Sequence, residues 1–212
     1  MRRPLLALAA TLLATAPLSA QVGKHPSLLE PNVATEAELA TVPGFTPAIV
    51  KAVVDGRPWL SPTAFDAGLA KAGLTPAQRK AAYARVFVHL NLNATTKEEI
   101  LLIPGVGAKM QHEFEEYRPY RNLAQFRRKI GKYVKADELA RLEGYVFVPM
   151  DLNTASDADL QTIPGLGRRM LGEFKEYRPY DTMARFDREI GKYVKPPEVK
   201  RLARYVTVPA KS

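Results

Sequence analysis

The sequence predicts an all-α protein made of three tandem units of about 60 residues each. Residues 91–150 recur at 151–210 with 30 identities in 60 positions, and a more diverged copy occupies 30–90. Within each copy, apolar residues recur at helical spacing and alternating β-branched runs are scarce, so we expect no sheet. Since short links join the units and each alone is small for an independent core, we expect neighbours to pack into a stiff rod or arc.

Each unit is predicted to open with a short capped helix. Thr35, Thr96 and Ser156 each stand three residues before an acidic residue, which is the spacing of a capping box. A proline follows eight residues after each cap and ends the helix.

Three further helices are predicted in each of the two similar units. Their apolar positions lie three or four residues apart, so each helix has one face to bury. These positions are Met110, Phe114 and Tyr117 in the second helix, Phe126 and Ile130 in the third, and Leu139, Leu142 and Val146 in the fourth, repeated as Met170, Phe174, Tyr177, Phe186, Ile190, Val199, Leu202 and Val206.

The first twenty residues have the layout of a secretory signal peptide. Arg2 and Arg3 precede an apolar run at 5–16, and small residues at 18–20 offer a cleavage site. The apolar run is shorter than the roughly 20 residues that span a bilayer. We therefore predict an exported protein, periplasmic or secreted, after cleavage near Ala20. Retention of the segment as an anchor is the alternative.

Charge and composition limit the classes of partner, of catalysis and of metal site that the sequence allows. Without Arg2 and Arg3 the formal net charge falls from +9 to +7, which favours anionic partners or simply maintains solubility. The absence of Cys excludes thiol catalysis and Cys-ligated metals, and three scattered His argue against a His site. The carboxylates Glu113, Glu115 and Glu116 fall on one helix, but the third copy has Lys175 in place of the middle one, which argues against a nuclease. We expect no catalytic residue, metal or cofactor.

A Gly-x-Gly turn lies between the first and second predicted helices of the second and third units. Such a turn allows close approach of another molecule and leads into a helix N-terminus, which suits a phosphate. Cations follow directly, as Lys109 in one unit and as Arg168 and Arg169 in the other. None of these groups reads a base, so the predicted binding is independent of sequence. The alternative is that the turns only pack helices.

The pattern [ND]-L-N followed by I-P-G-[VL]-G resembles the helix-hairpin-helix motif, and the whole unit resembles the helix-hairpin-helix (SAM/HhH-like) domain of the ComEA family. The resemblance covers about 30–210. It implies a degenerate domain at 30–90 and two further domains at 91–150 and 151–210. ComEA-family proteins are exported receptors that hold double-stranded DNA during natural transformation. The phosphate contacts that the resemblance implies are Gly105, Val106, Gly107, Lys109, Gly165, Leu166, Gly167, Arg168 and Arg169.

The sequence departs from the family in two places. A second Gly-x-Gly hairpin is replaced by Gly-Lys-Tyr at 131–133 and 191–193, where Lys132 and Lys192 remain candidate phosphate contacts. The first unit has Thr46 in place of the second glycine and no cation after it, so we interpret that unit as structural.

These observations predict an exported, non-catalytic protein that grips the phosphate backbone of duplex DNA, with no small-molecule substrate, and the resemblance implies DNA uptake (competence) as the process. The repeated tyrosines at 117, 120, 177 and 180 are expected to pack in the core rather than stack on bases. The alternative function is a periplasmic scaffold of the same repeats that binds an envelope protein and no DNA.

Overall fold

The computed structural model describes residues 21–209, which form a mostly helical fold with twelve short helices in this range. Every unit contributes four helices, which confirms the four predicted in each of the two similar units. In the first unit they are α1 (Glu36–Leu39), α2 (Pro47–Asp55), α3 (Pro62–Lys71) and α4 (Pro76–Ala82). In the second they are α5 (Lys97–Leu101), α6 (Ala108–Glu116), α7 (Leu123–Ile130) and α8 (Ala136–Glu143). In the third they are α9 (Asp157–Leu160), α10 (Arg168–Glu176), α11 (Met183–Ile190) and α12 (Pro196–Ala203).

The expectation of no sheet is wrong, because the ends of each unit pair as short parallel strands. In the second unit β1 (Leu90–Asn91) pairs with β2 (Val146–Phe147), and in the third β3 (Met150–Asp151) pairs with β4 (Val206–Thr207). A single parallel bridge between Leu29 and Val86 does the same in the first unit. Val146 and Val206, assigned above to helices, therefore lie in strands. Two residues are too few for an alternating pattern to reveal a strand.

The predicted helix starts are confirmed. Thr35 and Thr96 form reciprocal capping boxes with the third residue of the helix, while Ser156 caps only the Asp159 amide. The centres of the predicted stripes are buried, with Phe114, Phe126 and Ile130 fully enclosed in the second unit and their counterparts Phe174, Phe186 and Ile190 in the third. The predicted positions that are only half-buried are Met110, Tyr117, Leu139, Met170 and Tyr177.

An asparagine at the start of every unit fixes the turn that follows the second helix. The side chain of Asn93 donates to the Tyr120 carbonyl at 2.8 Å and accepts from the Tyr120 amide at 2.7 Å. The same pair of bonds joins Asn32 to Trp59 and Asn153 to Tyr180, in each case beyond a cis proline. The Asn of the repeated motif therefore holds the scaffold together in all three units.

The arginine before each cis proline reinforces the same junction. Arg118 donates from Nε to the Leu92 carbonyl at 2.6 Å and from Nη2 to the Thr95 carbonyl at 2.8 Å. Arg57 and Arg178 bond the corresponding loops of their own units. These loops precede the first helices, whose capping residues are positioned as a result.

The units close on one another, so the predicted rod or arc is wrong. One core is shared by the first two units, and the Tyr145 hydroxyl donates across their boundary to the Tyr83 carbonyl at 3.1 Å. The third unit also contacts the first. Gly165 lies so close to Val33 that a Cβ on Gly165 would be 2.8 Å from Cγ1 of Val33. Arg204 of the third unit also donates to the His89 carbonyl, at 2.7 Å.

An N-terminal segment, residues 21–28, crosses the joint between the second and third units. Val22 forms an antiparallel bridge with Phe147, and the Gly23 amide donates to the Val146 carbonyl at 2.9 Å. A Cβ on Gly23 would overlap the carbonyl of Glu143, so the close approach requires glycine. The predicted signal peptide, 1–20, lies outside the described residues.

A buried ion pair lies where this segment meets the first unit. Nδ1 of His89 is 2.9 Å from Oε2 of Glu30, and Nε2 of His89 is 3.1 Å from the Gly23 carbonyl. Burial raises the pKa of Glu30, but the hydrogen bond and charge of His89 and the charge of Arg204 outweigh it and hold that pKa below the usual 4.5. Both ring nitrogens of His89 therefore lie within hydrogen-bonding distance of oxygen atoms, one from the Glu30 carboxylate and one from the Gly23 carbonyl.

Candidate nucleic-acid interface

The first glycine of each Gly-x-Gly turn is required by the backbone. Gly105 and Gly165 have φ of +80° and +73°, and Gly44 of the first unit has φ of +84°. This left-handed conformation strains any residue with a Cβ. The middle residue then turns inward, so that Val106 and Leu166 pack against the core and Phe45 is buried. The three turns therefore share one geometry at their first two positions.

The second glycine is required neither by the backbone nor by packing. Gly107 and Gly167 have φ of −107° and −75°, which any residue adopts. A Cβ built on either one has no neighbouring atom within 4 Å. Both are exposed N-caps, and α6 and α10 receive no side-chain hydrogen bond at their N-termini. Their first amides therefore face outward with no protein acceptor supplied by a cap.

The first unit blocks the same position. Thr46 replaces the second glycine, and its hydroxyl accepts from the Ile49 amide at 3.4 Å. Pro47 follows at the first helical position and has no N–H to offer. The helix start that is open in two units is thus closed in the first.

Three exposed cations stand at the open helix starts. The side chains of Lys109 and Arg168 make no ion pair or hydrogen bond within the described residues 21–209. Arg169 lies over the ring of Tyr193, 5.8 Å from its centroid. Because the amino end of a helix carries a partial positive charge, these side chains add to a field of the same sign. The place corresponding to Lys109 in the first unit is Ala48.

An arginine from the last helix holds each of the two open turns. Nη2 of Arg141 donates to the Pro104 carbonyl at 2.8 Å, and Nη1 of Arg201 donates to the Pro164 carbonyl at 2.6 Å. Each guanidinium also makes a two-pronged pair with a glutamate three residues earlier, Glu138 or Glu198. Sequence reasoning missed both arginines, although Glu-x-x-Arg is identical in the two copies. Both arginines stand five residues before the last strand of their unit. The first unit has Ala81 at the corresponding position.

The Gly-Lys-Tyr loops at 131–133 and 191–193 differ from the Gly-x-Gly turns. A Cβ on Gly131 would lie 2.6 Å from the Arg127 carbonyl, and one on Gly191 would lie 2.8 Å from the Asp187 carbonyl. Those glycines are therefore explained by packing within the unit. Lys132 is exposed and has no ion-pair partner among residues 21–209, whereas Lys192 pairs with Glu189 and lies over the Tyr177 ring. The structure leaves only Lys132 of these two candidates with an uncompensated charge.

The repeated tyrosines divide into two classes. Tyr120 and Tyr180 are buried, as predicted, and burial raises the pKa of Tyr180 to about 12. Tyr117 and Tyr177 are half-buried, and their hydroxyls bond those of Tyr133 at 2.7 Å and Tyr193 at 2.6 Å. The bond between Tyr177 and Tyr193 connects the end of α10 to the loop between α11 and α12.

The sequence has no significant match among protein-family models, curated proteins or solved structures. Within residues 21–209, no group of three or more His, Cys, Asp or Glu is placed to hold a metal ion. No helix in that range is long and apolar enough to cross a membrane.

Proposed function

We propose that this is an exported, non-catalytic protein that holds duplex DNA by its phosphate backbone, independently of sequence, through the turns of its second and third units. The observation that carries the proposal is the pair of exposed, uncapped helix starts at Gly107 and Gly167. Neither glycine is needed by the fold, and each leaves amide donors beside cations that have no anionic partner. An external phosphate supplies the missing acceptor.

The units are proposed to be helix-hairpin-helix domains of the ComEA type, and the process is proposed to be uptake of DNA. Export rests on the sequence of the first twenty residues. The exposed residues at both turns are backbone amides, Lys and Arg, which contact phosphate and carry no base-reading geometry, so binding is expected to be equal on unrelated duplexes.

The test is binding of the chain 21–212, which contains every described residue, to a labelled duplex by fluorescence anisotropy between 50 and 200 mM salt. Two turns that together neutralise about four to six phosphates give a slope of log K against log salt of about −4 to −5. A second duplex of unrelated sequence should give the same curve. No saturable binding at the lowest salt would contradict the proposal.

A scaffold that binds an envelope protein is the second candidate. It is favoured by the first unit, whose turn is capped and uncharged and which exposes the apolar side chains Val33 and Leu60. Under this function, changes at the open turns would leave partner binding intact, and the chain would not bind the duplex.

A further inference from the structure

We infer that each open turn is assisted by a lysine from another part of the chain: Lys80 of the first unit for the turn of the second, and Lys24 of the N-terminal segment for the turn of the third. This inference rests on the proposed function and deepens it. It gives the first unit and residues 21–28 a direct part in holding DNA.

The first cleft lies between the first unit and the turn of the second. It has a volume of about 520 Å³, and its walls include α4 on one side and Gly105, Val106 and Gly107 on the other. Lys80 is exposed on the α4 wall and has no ion-pair partner among residues 21–209. A phosphate bound at the α6 start would therefore lie beside a cleft whose lining also includes the Lys80 ammonium group.

The acid in this cleft is already neutralised. Asp66 accepts from Nε of Arg79 at 2.7 Å and from the Tyr83 hydroxyl. The cleft thus holds one compensated carboxylate and one uncompensated lysine, so its field is positive where it meets Gly107. Within a Debye length of about 10 Å at 0.1 M salt, such a charge still attracts an anion.

The second cleft repeats this arrangement with different parts. It has a volume of about 560 Å³ and lies between the N-terminal segment and the turn of the third unit, with Lys24 on one wall and Gly165 and Leu166 on the other. Its carboxylate, Glu30, is buried and paired with His89. This cleft reaches Leu166 but not Gly167, so we expect a smaller contribution from Lys24 than from Lys80.

The pairing of the parts follows from the closed arrangement of the units. The bridge of Val22 to Phe147 holds the N-terminal segment at the joint, and the core shared by the first two units fixes α4 against the turn of the second. Each lysine therefore comes from a different part of the chain from the turn that it assists.

The experiment compares Lys80→Gln and Lys24→Gln with Lys71→Gln in the chain 21–212, using the labelled duplex and the salt series above. Lys71 is an exposed lysine of the first unit that lines neither cleft, so its variant loses the same formal charge. We expect Lys80→Gln to bind about 3- to 10-fold more weakly at 50 mM salt and to make the salt slope less steep by about 1. Lys24→Gln should show a smaller loss in the same direction, and Lys71→Gln should match the wild type. Thermal unfolding of each variant confirms that the fold is retained.

If Lys80→Gln and Lys24→Gln cannot be distinguished from Lys71→Gln while changes at Gly107 and Gly167 abolish binding, this inference is overturned and the proposed function stands. A wild-type chain that does not bind the duplex overturns both.

Discussion

The first unit and the two later units share one scaffold and differ at one helix start. All three have the left-handed glycine of the turn, the asparagine that bonds the residue after the cis proline and the paired ends. They differ two residues after that glycine, where Thr46 caps its helix and Gly107 and Gly167 leave theirs open. The residues that all three units share are explained by the fold. The residues that only the second and third units have are the ones that we associate with a ligand.

The comparison also separates two kinds of glycine. Gly105 and Gly165 match Gly44 and are explained by a positive φ. Gly107 and Gly167 have no such explanation within the described chain, and they are replaced in the one unit that also lacks the cation and the arginine clamp. The absence of a Cβ there is understandable if another molecule approaches the helix start.

The largest expected effect comes from giving both later units the cap of the first. Gly107→Thr with Gly167→Thr supplies a side-chain acceptor for the open amides, so stability should hold or rise by a few tenths of a kcal/mol. Duplex binding should weaken about 100-fold or more, since two charge-assisted contacts of about 1.5–3 kcal/mol each are lost. Anisotropy and thermal unfolding measure the two quantities.

The matched control for that variant is Gly172→Thr, beyond the first turn of α10 at a site where a Cβ has open space. It should bind as the wild type does. Unchanged binding by the double variant would show that the open starts are not the site.

Next in size is a loss of stability from the first unit. Glu30→Gln replaces the buried carboxylate that contacts Nδ1 of His89 and accepts from the Asn32 side chain, and weakening these buried hydrogen bonds costs about 3 kcal/mol. Urea unfolding should show this loss, whereas the exposed Glu36→Gln should change stability by less than about 0.5 kcal/mol. An equal effect of the two variants would remove the structural role assigned to this pair.

The same pair predicts a pH dependence. Because the pKa of Glu30 is lowered in the folded protein, its contribution to stability is present above the usual 4.5 and is lost as pH falls through the folded value. The stability gap between wild type and Glu30→Gln should therefore be constant from pH 5 to 6 and narrow below about pH 4.5. A gap that widens on acidification would contradict the assignment.

The shared part of the scaffold should respond in all three units, and most strongly in the first, where the Asn32 side chain also donates to Oε1 of Glu30 at 2.6 Å. Asn32→Ala, Asn93→Ala and Asn153→Ala each remove two hydrogen bonds to the backbone that follows a cis proline. Each should cost about 1–3 kcal/mol in the free energy of unfolding, because two backbone groups lose their partners. A cost confined to one unit would show that the three scaffolds are not equivalent.

The smallest expected effect is a gain. Thr46→Gly, Pro47→Ala and Ala48→Lys together give the first unit the open start and the cation of the second. The salt slope should become steeper by about 1 to 2, and binding should tighten by about tenfold or less. Thr46→Gly alone is the control and should change nothing in binding, since Pro47 still lacks an N–H. Equal binding by the triple variant and this control would break the comparison.

Local chemistry was predictable from the sequence, and long-range assembly was not. Thr35 and Thr96 signal their helices within four residues, and the stripes around Phe114 and Phe174 need only one helix to be recognised. His89 and Glu30 are 59 positions apart, and the contact of Val33 with Gly165 links the first unit to the third. No local pattern encodes either contact.

The candidate site likewise combines features that are local in sequence with contacts between distant residues. The Gly-x-Gly turns and their cations lie within five residues and were identified from sequence. Arg141 and Arg201, which hold those turns, come from 37 residues further along the chain and pass as ordinary helical residues. The difference between Lys132 and Lys192 depends on one neighbour, Glu189, whose counterpart in the second unit is Lys129.

The paired ends of each unit have a consequence for how such a chain can grow. Since Leu90 lies beside Val146 and Met150 beside Val206, the polypeptide enters and leaves a unit at neighbouring points. A complete unit can then be inserted between two others without displacing the chain on either side, as for domains whose termini lie close together. Duplication of the whole sixty-residue segment therefore leaves the neighbouring units in place, and single sites within one copy are free to diverge.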